Sequence, residues 1–390
     1  MSKGGFPYRV VATVWFGWLS IMLPRMIITP LIPTIKEDYG LTNAQAGLLM
    51  TGYLYPYSSM QIPAGTLCDR FGTKRLIILA LKGSSSMALM IWLTRGFPEM
   101  LTFRVLAGVL AGMWYAPSTT LLTLTVKEED RGKALGMVFT GASLSDVIIY
   151  ALVGLIGVER FDWHYYFLFC SLPGLLCALL VGTTTREPSL PSPVKEGVSG
   201  GRESVVEVLK ERPVLSNIVF TIVIFLLTWS LRTFLPTYFV EHRLLSDSEA
   251  SLLMIVYAST MILGGPLAGY LVDRLGYRLP ALVSLAVLCI VILALPSVPM
   301  GLPTAAILIL WGLAGGWSLT AFNVLLIETV PPRVRGTFLG IYNSASFMGA
   351  ATGPYLLGYV ADVAGFGSFF MAALVLCVLA TLIAATIKID

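Results

Sequence analysis

The feature that most limits what this chain can become is a series of apolar stretches, each long enough to cross a membrane as a helix, running from one end to the other. A span needs about 20 apolar residues. The 390 residues therefore leave room for about twelve spans with short connections. Charged residues make up only 12% of the chain, about half the share of a soluble domain. In hydrocarbon every backbone N–H and C=O must find its partner within the protein, so the stretches read as helices and the fold class as an all-α membrane protein. The spacing predicts spans over 10–33, 43–67, 76–94, 100–125, 133–157 and 165–184, then 214–239, 247–270, 279–298, 304–327, 337–360 and 368–387.

The first apolar run follows Lys3 and Arg9, as a signal peptide would, but continues past Arg25 to Leu31 with no small-residue cleavage site. It reads as a first transmembrane helix. Cys68, Cys170, Cys177, Cys289 and Cys377 lie in or beside apolar runs without CxxC spacing, and read as small buried residues. His164 and His242 fall at helix ends, so no metal site is expected. The longest polar break, residues 185–213, holds Pro188, Pro191, Pro193, Gly200 and Gly201. It reads as a linker between an N-terminal six-helix bundle, 1–184, and a C-terminal one, 214–390, with a short surface helix expected over 203–212.

Charge placement sets the expected orientation. With the N-terminus inside, the inner segments hold 18 Lys and Arg residues, from Lys3 through the linker to Arg333, Arg335 and Lys388; the outer ones hold 4: Lys36, Arg95, Arg160 and Arg243. That bias places both termini in the cytoplasm of a multi-pass protein of the cell membrane. Arg25, Lys82, Arg104 and Arg232 remain within spans.

The two halves repeat at an offset of 204 residues. Leu41 to Tyr53 lies over Leu245 to Tyr257, and both stretches carry a capping box, Thr42 with Gln45 and Ser246 with Glu249. Gly65, Asp69, Arg70 and Gly72 match Gly269, Asp273, Arg274 and Gly276; Gly108, Gly112, Arg131 and Gly132 match Gly312, Gly316, Arg335 and Gly336. An even number of helices per half keeps the copies parallel, the arrangement of carriers whose bundles rock about a central site.

Gly65-Thr-Leu-Cys-Asp69-Arg70-Phe-Gly72-Thr-Lys74-Arg75 resembles the major facilitator motif between the second and third helices, and Gly269 to Arg278 is a weaker copy between the eighth and ninth. Arg104-Val-Leu-Ala-Gly108 resembles the fourth-helix motif of that superfamily. The resemblance covers essentially the whole chain and implies a secondary transporter of twelve helices in two pseudo-symmetric bundles, working by rocker-switch alternating access. The antiporter signature of the fifth helix is missing, and Gly349-Ala-Ala-Thr-Gly353-Pro354 on the eleventh only partly mimics it. A pair of arginines on the first and seventh helices is a feature of organophosphate:phosphate antiporters, and anion:cation symporters carry the first; this chain is similar to both in outline.

An ionised group inside a membrane points to function. Arg25 and Arg232 lie about two-thirds along their helices and are repeat partners within three residues. Two guanidiniums at that depth would offer forked donors to a small carboxylate or phosphate-like anion. The alternative is that they lock helices through salt bridges, which suits a carrier of neutral or cationic solutes, or a non-transporting sensor. Lys82, near the inner end of its helix, reads as a snorkelling lysine. Asp146 is the carboxylate deep in a span. It is either a site of proton coupling, tuned with Arg104, or a fixed partner of Arg25 or Arg104. Tyr53 and Tyr57 share a helix face and, with Tyr257 and Asn343, are the residues expected to line the path; Tyr115, Asn323 and Tyr342 are further polar positions within spans. Asp69 and Asp273 should latch the inner side against the helix starts at Arg335 and Arg131. No phosphate-binding glycine loop, HExxH or Ser/His/Asp pattern occurs, so an enzyme, a cofactor and a nucleic-acid partner are not expected. The expected partners are a small solute, a coupling proton and membrane lipid, with the chain a monomer.

Overall fold

The structure, a computed structural model, describes residues 6–158, 160–185, 187, 208–330 and 335–387. The described residues form fourteen α-helices: α1 Tyr8–Met26, α2 Ile28–Tyr39, α3 Asn43–Phe71, α4 Thr73–Met90, α5 Phe97–Gly112, α6 Tyr115–Thr125, α7 Arg131–Ile156, α8 His164–Thr184, α9 Arg212–Glu241, α10 Asp247–Leu275, α11 Arg278–Ala294, α12 Leu302–Ala314, α13 Trp317–Thr329 and α14 Arg335–Thr386. Three pairs are single spans broken near their middle: α1 with α2, α5 with α6, and α12 with α13. In the reverse sense, α14 runs through a non-helical Gly365, at φ 77°, and so contains two spans. Twelve passes result among the described residues.

The breaks have local causes. Pro30 has no N–H to give the Met26 carbonyl, and the Thr29 hydroxyl supplies the bond instead, at 2.6 Å. This repair lets the helix continue beyond the expected end near residue 33 to Tyr39, with Pro33 inside it and Lys36 in its last turn. Pro117 likewise follows the turn at Met113 and Trp114 that separates α5 from α6. Both predicted capping boxes form. The Thr42 amide donates to Gln45 at 3.0 Å and the Gln45 amide to Thr42 at 3.2 Å; the Ser246 amide donates to Glu249 at 2.9 Å and the Glu249 amide to Ser246 at 3.2 Å.

The repeat is also written in backbone angles. Gly72 and Gly276 both take a positive φ, 92° and 71°, which explains the glycine at that place in each motif copy. At the other ends of α3 and α10, Gly40 at φ 62° is matched by Leu244 at φ 55°.

The chain divides into two compact units. The first holds the described residues up to Leu41 and from Leu48 to Pro193, with Leu245–Leu252. In it α1 packs on α7 and α8, and α4 on α5 and α8. The second holds Thr42–Gly47, the described residues from Val194 to Leu244, and those from Leu253 onward. Its backbone is α9 against α14, with α11 packed on α12, α13 and α14. There both oxygens of Asp362 accept from the amides of Asn43 and Ala44 at 2.8 Å, a carboxylate set on the start of α3. The two units tie corresponding helix ends with different chemistry. In the first, Tyr39 at the end of α2 meets His164 Nε2 at 3.2 Å and Trp163 edge-on. In the second, Tyr238 and His242 at the end of α9 meet Phe366 and Phe370.

Cys68, Cys170, Cys177 and Cys377 are buried and all five thiols are free. Lys3, Arg186, Lys195, Arg202, Arg333, Lys388 and most of the linker, including the expected helix start at Glu203, lie outside the described residues.

Candidate functional site

In the first unit the break between α1 and α2 organises the chemistry. Ile27 interrupts the helix, leaving the Pro24 and Arg25 carbonyls turned toward α5. Arg104 fills the gap. Its Nη1 donates to the Pro24 and Arg25 carbonyls at 3.2 and 3.3 Å, its Nη2 to the Arg25 carbonyl at 3.3 Å, and its Nε to the Leu49 carbonyl on α3 at 3.1 Å. The side chain is 1% exposed, so its charge is compensated by carbonyl dipoles on two helices. Its guanidinium also lies 4.7 Å from the centre of the Tyr53 ring.

Arg25 is buried beside it, in the last turn of α1. Its guanidinium lies 4.7 Å from the centre of the Tyr57 ring and 5.7 Å from that of Tyr53. Tyr53 and Tyr57 stack with centroids 6.2 Å apart. Tyr57 hydrogen-bonds with Arg25 and with Gln61, one turn on along α3. Two arginines and two tyrosines from α1, α3 and α5 thus form one buried cluster, held by cation–π contacts. Asp146 is also buried, on α7, which packs against α1.

Two glycines of the fourth helix make this closeness possible. A Cβ at Gly108 would stand 2.2 Å from the Tyr53 carbonyl oxygen, and one at Gly112 2.5 Å from that of Tyr57. In the second unit a Cβ at Gly312 would stand 2.6 Å from the Tyr257 carbonyl oxygen. The tyrosine–glycine seam is therefore repeated at the 204-residue offset. Around it the chemistry differs: the Tyr257 ring lies 4.2 Å from Trp311, and its hydroxyl points to the Met261 sulfur at 3.5 Å. Arg232 is half-buried on α9, its guanidinium 5.4 Å from the Trp229 ring. Asn343 and Asn323 are half-buried on α14 and α13. Tyr342 instead packs into a cluster with Val214, Val330 and Phe338.

The motif residues sit at helix ends. Asp69 and Arg70 are exposed in the last turn of α3, as are Asp273 and Arg274 in α10. Arg70 and Arg274 lie against Phe71 and Tyr270. Lys74 reaches back to the Gly182 carbonyl at 2.8 Å, Arg75 is exposed, and Arg131 donates to the Thr123 carbonyl at 3.3 Å. Gly65 and Gly269 have open space where a Cβ would stand. Arg335 begins α14; its side chain lies outside the described residues. Sequence reasoning missed Trp18, which stands edge-on to Trp114 and Tyr115 at 6.3 and 6.0 Å, and Gln61. The signal was available: Trp18 is seven residues before Arg25, and Gln61 four after Tyr57, each on the shared helix face.

The profile of the Major Facilitator Superfamily matches residues 14–247 and 221–389. Among characterised relatives, "Probable anion transporter 4, chloroplastic" of Oryza sativa subsp. japonica is 25% identical over 97% of this chain and 68% of its own length. The "Multidrug resistance protein MdtG" of Salmonella typhimurium is 26% identical over 93% of this chain and 91% of its own. The fold matches a bacterial homologue of the human lysosomal transporter Spinster, with TM-score 0.78 at 20% identity, covering 98% of this chain and 97% of that one. It also matches a D-xylose–proton symporter, with TM-score 0.80 at 16% identity, covering 99% of each. With matches that span it from the first helix to the last, this chain belongs to the Major Facilitator Superfamily.

Proposed function

We propose that the chain is a secondary transporter of a small carboxylate or phosphate-like anion, in which bundles 1–184 and 214–390, joined by the linker 185–213, alternate access to a central site. The observation that carries this reading is the division of labour between two buried arginines. Arg104 is occupied by backbone carbonyls and fixes the helix break, while Arg25 is set against the two tyrosines. A guanidinium flanked by phenol hydroxyls is suited to a planar or tetrahedral oxyanion. Arg232 would supply the second fork, and Tyr257 and Asn343 further contacts. Asp146 would take up and release the coupling proton. Asp69 and Asp273 would serve as the releasable inner latch, so that Asp69→Asn lowers transport while leaving folding largely intact. The basic inner segments favour placement in the cell membrane with both termini in the cytoplasm. The printed name of the rice relative agrees with an anion.

The test is titration of the purified protein with a panel of carboxylates, phosphates and neutral solutes, followed through thermal stabilisation. The best anion is then titrated against Arg25→Lys and Arg232→Lys, which keep the charge but lose the planar fork. Loss of a charge-assisted hydrogen bond lowers affinity roughly tenfold or more. Unchanged affinity in both variants sinks the anion reading. It would favour the second one, a carrier of neutral solutes with Arg25 serving only to hold α3 through Tyr57. The engagement of Arg25 with Met22 and Tyr57 supports that alternative.

A further inference from the structure

The outer wall of the first unit carries a groove unrelated to the arginine–tyrosine cluster. It passes from the outer face of α4 across to α8 and ends beside α1, and is made of three adjoining hollows. The first, about 460 Å³, is lined by Arg75, Leu79, Lys82 and Ser86. The second, about 370 Å³, shares Lys82 and adds Leu175, Leu179, Gly182 and Thr183. The third, about 580 Å³, shares Leu175 and Leu179, ends at Phe16 and Phe169, and has no charged residue.

Three properties of the groove converge. First, Arg75 and Lys82 are seven residues apart on α4, hence on one face and about 10 Å apart along the axis. Both are exposed, and among the described residues neither has a hydrogen-bond or ion-pair partner. The Glu187 carboxylate at this end is turned to the Lys74 amide, 3.2 Å from each oxygen. Second, helical side chains lean toward the helix N-terminus. Lys82 therefore reaches back toward Arg75 and the end of α4 where a headgroup layer would lie. Third, beyond the cations the wall is apolar and open, with Leu172 50% and Leu179 64% exposed. From Leu179 to Phe169 the apolar track covers eleven residues of α8, about 15 Å. That is half the hydrocarbon thickness of a bilayer, the depth of one acyl chain.

We propose that this groove binds one anionic phospholipid of the inner leaflet. Its phosphate sits between Arg75 and Lys82 near the Thr183 hydroxyl, and an acyl chain follows α8 to Phe169. Cations at one end of an apolar track suit a charged headgroup with an attached chain better than a zwitterionic lipid or a free anion. The leaflet assignment rests on the positive-inside orientation; the site itself does not.

The experiment uses full-length protein in detergent with three additives: phosphatidylglycerol, phosphatidylcholine and water-soluble glycerol 3-phosphate. Thermal unfolding and native mass spectrometry are the readouts. Phosphatidylglycerol should raise the melting temperature and persist as a bound adduct, phosphatidylcholine should do neither, and any stabilisation by glycerol 3-phosphate, which could enter through the proposed transport site, should be the same in Lys82→Glu as in the parent. Lys82→Gln should weaken phosphatidylglycerol binding about tenfold, as expected for one lost charge-assisted contact. Lys82→Glu should abolish it, Lys82→Arg should keep it, and Lys127→Gln on an inner loop should leave it unchanged. Melting temperatures of all variants in phosphatidylcholine should equal that of the parent, which separates lost binding from lost folding. Equal stabilisation by phosphatidylcholine, stabilisation by glycerol 3-phosphate that Lys82→Glu removes, or undiminished phosphatidylglycerol binding by Lys82→Glu would each overturn the proposal.

Discussion

Arg104→Lys tests the claim that this arginine is a brace and not a proton-handling group. The substitution keeps a positive charge in the same buried place. It replaces a rigid fork with one ammonium on a flexible stem. The accepting carbonyls belong to Leu49 on α3 and to Pro24 and Arg25 on α1. A single ammonium cannot serve both helices with that geometry, so one or two carbonyls lose their partner. Each orphaned buried acceptor costs about 2 kcal/mol, giving a loss of roughly 2–4 kcal/mol. In a unit of this size each kcal/mol shifts the melting temperature by about 2–4 °C, so a drop of roughly 5–15 °C is expected. Fluorescence-monitored thermal unfolding in detergent measures it. Because the Arg25 carbonyl is one of the acceptors, ligand affinity should fall as well, and a double-mutant cycle with Arg25→Lys should show coupling. A melting temperature within a degree of the parent would refute the brace.

Three further outcomes are expected. Asp146→Asn should abolish uphill, pH-driven uptake in proteoliposomes while sparing counterflow exchange; survival of uphill uptake removes Asp146 from coupling. Leu244→Gly should raise the melting temperature slightly, since a leucine in the left-handed region costs about 1–2 kcal/mol and this one, 86% exposed, gives up no burial; a fall in melting temperature would contradict the strain argument. Asp162, in the loop before α8, has a carboxyl held below its ordinary value: burial pushes it up, but hydrogen bonds from the His164 amide and ring, and the ring's charge when protonated, outweigh that. Its contribution is therefore present above the unfolded carboxylate pKa of about 3.9 and fades as pH falls through the lower folded value. The destabilisation caused by Asp162→Asn should thus not diminish from pH 8 to pH 5, and a gap that closes over that range would exclude this linkage.

The fold was legible because its causes are local. Apolar length marks the spans, the capping boxes at Thr42 and Ser246 mark two helix starts, and Gly72 and Gly276 mark turns that need a positive φ. The arginine–tyrosine cluster was half legible. Helix periodicity puts Tyr53 and Tyr57 on one face, and the scarcity of buried charge singles out Arg25 and Arg104. What Arg104 does was not legible, because its partners are backbone carbonyls of two other helices, and carbonyls carry no letter in a sequence. The extension of the first span to Tyr39 was missed for a related reason. Pro30 and Pro33 argue for an end, and only the Thr29 hydroxyl bond to the Met26 carbonyl shows why the helix survives them.

The repeat separates scaffold from chemistry more sharply than any single residue does. Gly108 against Tyr53 and Gly312 against Tyr257 are the same contact made twice, so the close approach of helices is a property of the repeat unit. The charges around it are not repeated. At the 204-residue offset Arg104 meets Leu308 and Arg25 meets Trp229, with Arg232 three residues further on. Leu308 can donate nothing, and α9, the counterpart of the broken α1–α2 span, runs as one helix from Arg212 to Glu241. A substitution in the shared seam should therefore harm both units alike. One in the arginine–tyrosine cluster should alter the first unit alone, because only there do the helix break, the brace and the buried cation depend on one another.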